Sequence, residues 1–120
     1  MKKPIDIDDL LSRVSGNREF ACRMLDSYFA NWMERQEQLE YHLNHENYDE
    51  LSDCAHQLKG ILGNLSITKG FNLLNLIYSE AKLKNPRRIV TLLNKLKKEI
   101  RAAETFYKEI RKKSGILMGA

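Results

Sequence analysis

Apolar residues recur at spacings of three and four along almost the whole chain, the mark of one-sided α-helices. Ile7, Leu10, Leu11 and Val14 predict a short first helix over about 6–14. "SGN" breaks it, and Asn17 is placed to cap the next. Phe20, Met24, Leu25, Tyr28, Phe29, Trp32, Met33, Leu39 and Leu43 make one stripe and predict a long second helix over about 18–43. Its aromatic members are expected in the core. "NHEN" closes that helix. Asn47 with Glu50 three residues on has capping-box spacing and predicts a third helix over about 48–65.

"SITKG" reads as a turn with hydroxyl caps on offer. Leu73, Leu74, Ile77 and Ala81 then predict a fourth helix over about 69–83. Asn85 followed by Pro86 reads as N-cap and first helical residue. The fifth helix is expected over about 86–112, through Ile89, Leu92, Leu93, Leu96, Ile100, Ala103, Tyr107 and Ile110. No strand alternation or repeat interrupts this pattern. Four amphipathic helices on short links predict an all-α, antiparallel up-down-up-down four-helix bundle with a short extra N-terminal helix. The bundle is expected over 1–112, with 113–120 as a flexible tail.

Composition narrows the class. A chain of 120 residues, 42% hydrophobic and 30% charged, suits one soluble domain. No apolar run approaches the roughly 20 residues a membrane span needs. "MKKPIDIDDL" lacks the apolar stretch of a signal peptide, so the protein is expected in the cytoplasm, away from membranes. Cys22 and Cys54 have no CxxC spacing and read as buried free thiols. The net charge of +4 divides into −5 over residues 1–60 and +9 over residues 61–120. Lys82, Lys84, Arg87, Arg88, Lys95, Lys97, Lys98 and Arg101 carry much of the second value. Such a cluster fits an acidic protein partner, a nucleic acid, or a solvated helix face.

The candidate chemistry lies in "AHQLKGILGN", residues 55–64. Gly60 and Gly63 stand inside a helix, where each is disfavoured by roughly 1 kcal/mol relative to alanine. On a helical wheel Leu51, Ala55, Leu58, Leu62 and Leu65 share the core arc. His56, Lys59, Gly60 and Gly63 fall on the opposite, outward face. The glycines then leave bare backbone beside an exposed imidazole, where another protein can approach. A neutral imidazole nitrogen is a nucleophile able to carry a covalent group. If that group is phosphoryl, the ammonium of Lys59, three residues on, stabilises the charge spread over its oxygens. His42 and His45 have no thiolate motif beside them, and a favourable position at a helix C-terminus accounts for them better than a metal.

"AHQLKG" resembles the His-x-x-Lys-Gly signature of histidine-containing phosphotransfer (HPt) domains. The long preceding helix, the "Leu-xx-Cys-Ala-His" approach and the two following helices extend the resemblance over about 6–110. It implies a phosphocarrier, not an enzyme, that shuttles a phosphoryl group between aspartates of receiver domains. It implies His56 as phosphoacceptor, through Nε2, with Lys59 steadying the phosphoryl oxygens. Gly60, with Gly63, would clear room for the partner, and Lys82 would be the basic group from the following helix. The implied partners are response-regulator receiver domains, with acidic active sites, and a hybrid sensor kinase. The protein is expected to act as a monomer, free-standing or cut from a larger sensor kinase. No cofactor of its own is expected, magnesium belonging to the receiver. No GxxxxGK[ST] phosphate loop appears.

The chain departs from the family at Ser66, where a glycine is usual, and at Ile61 and Leu62, where small residues are usual. The end of the third helix is therefore where a difference is expected. Two rival readings remain: a helical nucleic-acid-binding domain using the basic half, and an interaction bundle whose histidine is never modified. The first needs a free recognition helix, whereas the apolar stripe of the fifth helix is required by the bundle.

Overall fold

In the computed structural model, which describes residues 3–114, the described residues are helical apart from short turns. The helices are α1 (Ile7–Arg13), α2 (Arg18–Asn44), α3 (Tyr48–Asn64), α4 (Thr68–Lys82) and α5 (Pro86–Ser114). Lys113 and Ser114, expected in a flexible tail, continue α5, and the rest of that tail, 115–120, lies outside the described residues. Among the described residues, no helix is long and apolar enough to cross a membrane.

Two helix starts use the side chains the sequence offers. Asp6 accepts from the amide of Asp9, and Asn17 accepts from the amide of Phe20. Two expected caps do not form. The Asn47 side chain makes no capping bond, and Ile67 rather than a hydroxyl residue stands at the N-cap of α4. Ser66, one residue before that N-cap, is taken up by the turn that closes α3, and its Oγ donates to Asp9 Oδ2 at 2.7 Å, tying α1 to the α3–α4 turn.

The first four helices close the same way. Ser15, Glu46, Ser66 and Lys84 each take a left-handed backbone, with φ between 54° and 58°. In each turn the next amide reaches back to the third-last carbonyl of the helix, as from Asn47 to His42 and from Ile67 to Leu62. These are Schellman turns without the usual glycine. Ser66 thus keeps the backbone turn that the family's glycine would make, so the departure at this position leaves the chain reversal intact.

Successive helices pack side by side, most extensively α3 on α4 and then α4 on α5, and α2 touches both α3 and α5. Leu25, Leu39, Leu51, Leu58, Leu62, Leu74, Ile77, Leu92 and Leu96 fill the space between them, each no more than 1% exposed. Gly70 shows why α3 and α4 lie so close. A Cβ there would come within 2.6 Å of Leu62 Cδ1. Cys22 is buried as expected, whereas Cys54 is only half-buried, and that burial raises its thiol pKa. The stripe of α2 is less buried than its period suggests. Tyr28 and Trp32 are in the core, but Phe20 is 44% and Met33 60% exposed. The apolar arc of α2 is wider than the surface its neighbours cover.

Candidate functional site

His56 and Lys59 sit on adjacent turns of α3, and Leu51, Ala55, Leu58 and Leu62 on the opposite arc anchor that helix in the core. This arrangement leaves the imidazole of His56 exposed. Gly60 is exposed too, and a Cβ there would meet nothing within 4 Å. The bare strip predicted around Gly60 is therefore present.

Gly63 is not part of it. A Cβ at Gly63 would stand 3.3 Å from Cδ2 of Phe71, whose ring crosses from α4. The wheel of α3 places Gly63 outward, but α4 covers that side. Its missing side chain has an internal packing reason.

Lys59 turns toward α4. Its Nζ donates to Asn75 Oδ1 at 3.2 Å and lies 5.4 Å from the ring centre of Tyr78. Lys82, one turn beyond Tyr78, brings its Nζ to 4.9 Å from the same ring. The His56 ring lies beside it, 5.6 Å between centroids. The structure therefore brings His56, Lys59, Gly60 and Lys82 together. It adds Tyr78 and Asn75, which the sequence reading passed over. The signal was available: Phe71, Asn75, Tyr78 and Lys82 follow one another at spacings of four, three and four and share one face of α4.

Chemically, the site offers an accessible nucleophilic nitrogen and two ammonium groups. Among the described residues, neither Lys59 nor Lys82 is in an ion pair. Across the α2 side of α3, Ile61 and Asn64 join Phe20, Met24 and Arg35 in lining an open groove of about 420 Å³. The exposed ring of Phe20 is one wall of it.

The other candidates lie elsewhere. His45 stacks on Tyr41 at 4.1 Å and its Nδ1 meets the carbonyl of Tyr41 at 2.8 Å. Among the described residues, no group of three or more His, Cys, Asp and Glu is placed to hold a metal. Of the basic cluster, Lys84, Arg87, Arg88, Lys95, Lys98 and Arg101 are exposed, while Lys97 pairs with Glu40 of α2 at 2.9 Å.

The family model described as Hpt domain matches residues 23–105, a span that contains His56, Lys59, Gly60 and Lys82. The chain has no significant match among curated proteins or among solved structures.

Proposed function

This chain belongs to the Hpt domain family, and from that premise we propose that His56 accepts a phosphoryl group from a receiver-domain aspartate and passes it to another receiver. Hpt domains are phosphocarrier modules of two-component phosphorelays. The observation that carries the assignment is an exposed imidazole against the ring of Tyr78, over which an ammonium from its own helix and one from α4 also lie, next to a helix turn without a side chain.

The chemistry is a single displacement. The lone pair of a neutral imidazole nitrogen forms the P–N bond as the P–O bond of the aspartyl phosphate breaks. The aspartate leaves as a carboxylate, and the other ring nitrogen keeps its proton. Lys59 and Lys82 stand where they can donate to the phosphoryl oxygens as charge redistributes over them. The return step reverses these bonds at a second receiver. Magnesium belongs to the receiver, and this chain contributes no cofactor.

Docking uses the open strip at Gly60 beside the nucleophile and, on the α2 side of α3, the groove lined by Phe20, Met24 and Ile61, which supplies apolar contact area. Gly63 contributes through the seating of Phe71 against α3. The exposed cations of α5 steer an acidic receiver face toward this side. The four long helices form an antiparallel up-down-up-down bundle. Their short turns and the contacts of α2 with both α3 and α5 support that arrangement. The protein acts as a monomer in the cytoplasm, with a hybrid sensor kinase upstream.

Incubation with phosphorylated receiver domains tests the reading. Wild type should take up acid-labile, alkali-stable label, and His56→Gln should take up none. Equal labelling of His56→Gln would move the site elsewhere. A bulky residue at position 60 should slow transfer while the fold survives.

A further inference from the structure

Phosphoryl transfer to His56 makes and breaks no bond at Tyr78, yet three groups of the site meet on its ring. The imidazole of His56 lies 5.6 Å from it, tilted by 43°. The ammonium of Lys59 lies 5.4 Å from its centre and that of Lys82 4.9 Å. We propose that Tyr78 is a positioning residue whose ring gathers two ammonium groups beside His56 and leaves them free to turn onto a phosphoryl group. The inference rests on His56 being the phosphoacceptor.

A free lysine side chain samples many rotamers, and ordering it at the moment of reaction costs entropy. Two ammonium groups brought to one spot also repel each other. The face of an aromatic ring offsets both costs, because its negative quadrupole attracts a cation from above. The attraction is weak at an exposed site. A phosphoryl group, with its strong acceptor oxygens and high negative charge, outcompetes it. A carboxylate in the same place would bind each ammonium by a charge-assisted bond that the phosphoryl group would have to break. Lys97 shows that alternative, held on Glu40 Oε2 at 2.9 Å. At His56 the chain instead provides a ring and, for Lys59, the neutral amide oxygen of Asn75.

During transfer the ring takes part in no bond change. The P–O bond to the receiver aspartate breaks and the P–N bond to His56 forms. The two ammonium groups swing from the ring face to the phosphoryl oxygens, and they return when the group leaves.

Two measurements on the full chain test this. The first is the side-chain NMR of the unphosphorylated protein. The Hε protons of Lys82 should be shifted upfield by the ring in wild type and in Tyr78→Phe and should lose that shift in Tyr78→Leu, whereas those of Lys59, whose Nζ also lies 5.8 Å from the Phe71 ring, should lose part of theirs. The second is the rate of phosphoryl uptake from a phosphorylated receiver domain. Tyr78→Leu should slow it roughly three- to tenfold, and Tyr78→Phe should stay within about twofold of wild type. Absence of the shift in wild type, or equal rates for Tyr78→Leu and wild type, overturns the proposal. A loss in Tyr78→Phe as large as in Tyr78→Leu overturns it too, since the hydroxyl and not the ring would then matter. If wild type takes up no phosphoryl group at all, the relay reading fails, while the ring shift still decides whether Tyr78 gathers the two lysines.

Discussion

Tyr107 and Tyr78 each carry a cation over the ring, Arg111 at 5.6 Å over the first, and Lys59 and Lys82 over the second. Their surroundings differ. The Tyr107 hydroxyl donates to Asp26 Oδ1 at 2.7 Å and lies 3.1 Å from the carbonyl of Cys22. Arg111 donates to the phenol oxygen at 2.6 Å and reaches Asp26 at 3.4 Å. Burial, and after it the bond to Asp26, pushes the phenol pKa well up. This cluster fastens α5 to α2. Around Tyr78 the ring is half-buried and neither lysine over it has a carboxylate partner among the described residues. The same ring–cation contact is a fastener where a carboxylate joins it and a resting place where none does.

The largest expected effect separates the two rings by stability. Tyr107→Phe should cost about 1–2 kcal/mol in denaturant unfolding, because the bonds from the hydroxyl of this buried residue to Asp26 and to the Cys22 carbonyl are lost, and should leave phosphoryl uptake unchanged. Tyr78→Phe should cost no more than about 0.5 kcal/mol. Equal costs would erase the contrast. Next comes an attempt to make the resting place into a fastener. Asn75→Asp gives Lys59 an anionic partner at the distance of its present bond. Uptake from a receiver should slow roughly three- to fivefold, the equivalent of about 1 kcal/mol for an exposed ion pair. An unchanged rate would show that the neutrality of Asn75 is immaterial.

A smaller effect tests how open the His56 face is. Gly60→Ala should raise stability by roughly 0.5–1 kcal/mol, since the helix gains propensity and the new methyl meets no neighbour. A loss of stability would mean the face is more crowded than it looks. The smallest effect is on pH dependence. The bond from Lys97 holds the Glu40 carboxyl below its ordinary value of 4.5. Its contribution is therefore complete above that value and is lost as pH falls through the lower folded one. Lys97→Met should flatten the acid limb of a stability-against-pH curve. Lys82→Met should leave that limb as it is, having no carboxylate to release.

The helices were legible because each has an apolar stripe of helical period, and the stripe of α5 is buried from Ile89 to Tyr107 as its spacing predicts. Caps were half legible. Asn17 bonds as its position suggests, but Asn47 does not, since spacing alone does not set a side chain's rotamer. His56, Lys59 and Gly60 could be placed from the wheel of α3 alone. Gly63 could not, because what covers it is Phe71 of a different helix. Tyr78 and Asn75 were hidden for the same reason. Their stripe on α4 is visible in the sequence, but the height at which α4 meets α3 is set by tertiary contacts such as Gly70 on Leu62. A wheel describes one helix, and this site is made by two.

The non-glycine residues held in the left-handed region have a thermodynamic consequence. An L-residue in the left-handed region costs roughly 1–2 kcal/mol, and glycine avoids most of that while losing more freedom on folding. Ser15, Glu46 and Lys84 therefore mark three places where the chain holds an untapped thermal margin, each outside the proposed phosphoryl site. Ser66 is the exception among the four, because exchanging it for glycine would also remove the bond that ties Asp9 of α1 to this turn. A heat-resistant form of this protein could be sought at its turns, with the helix that carries His56 left as it is.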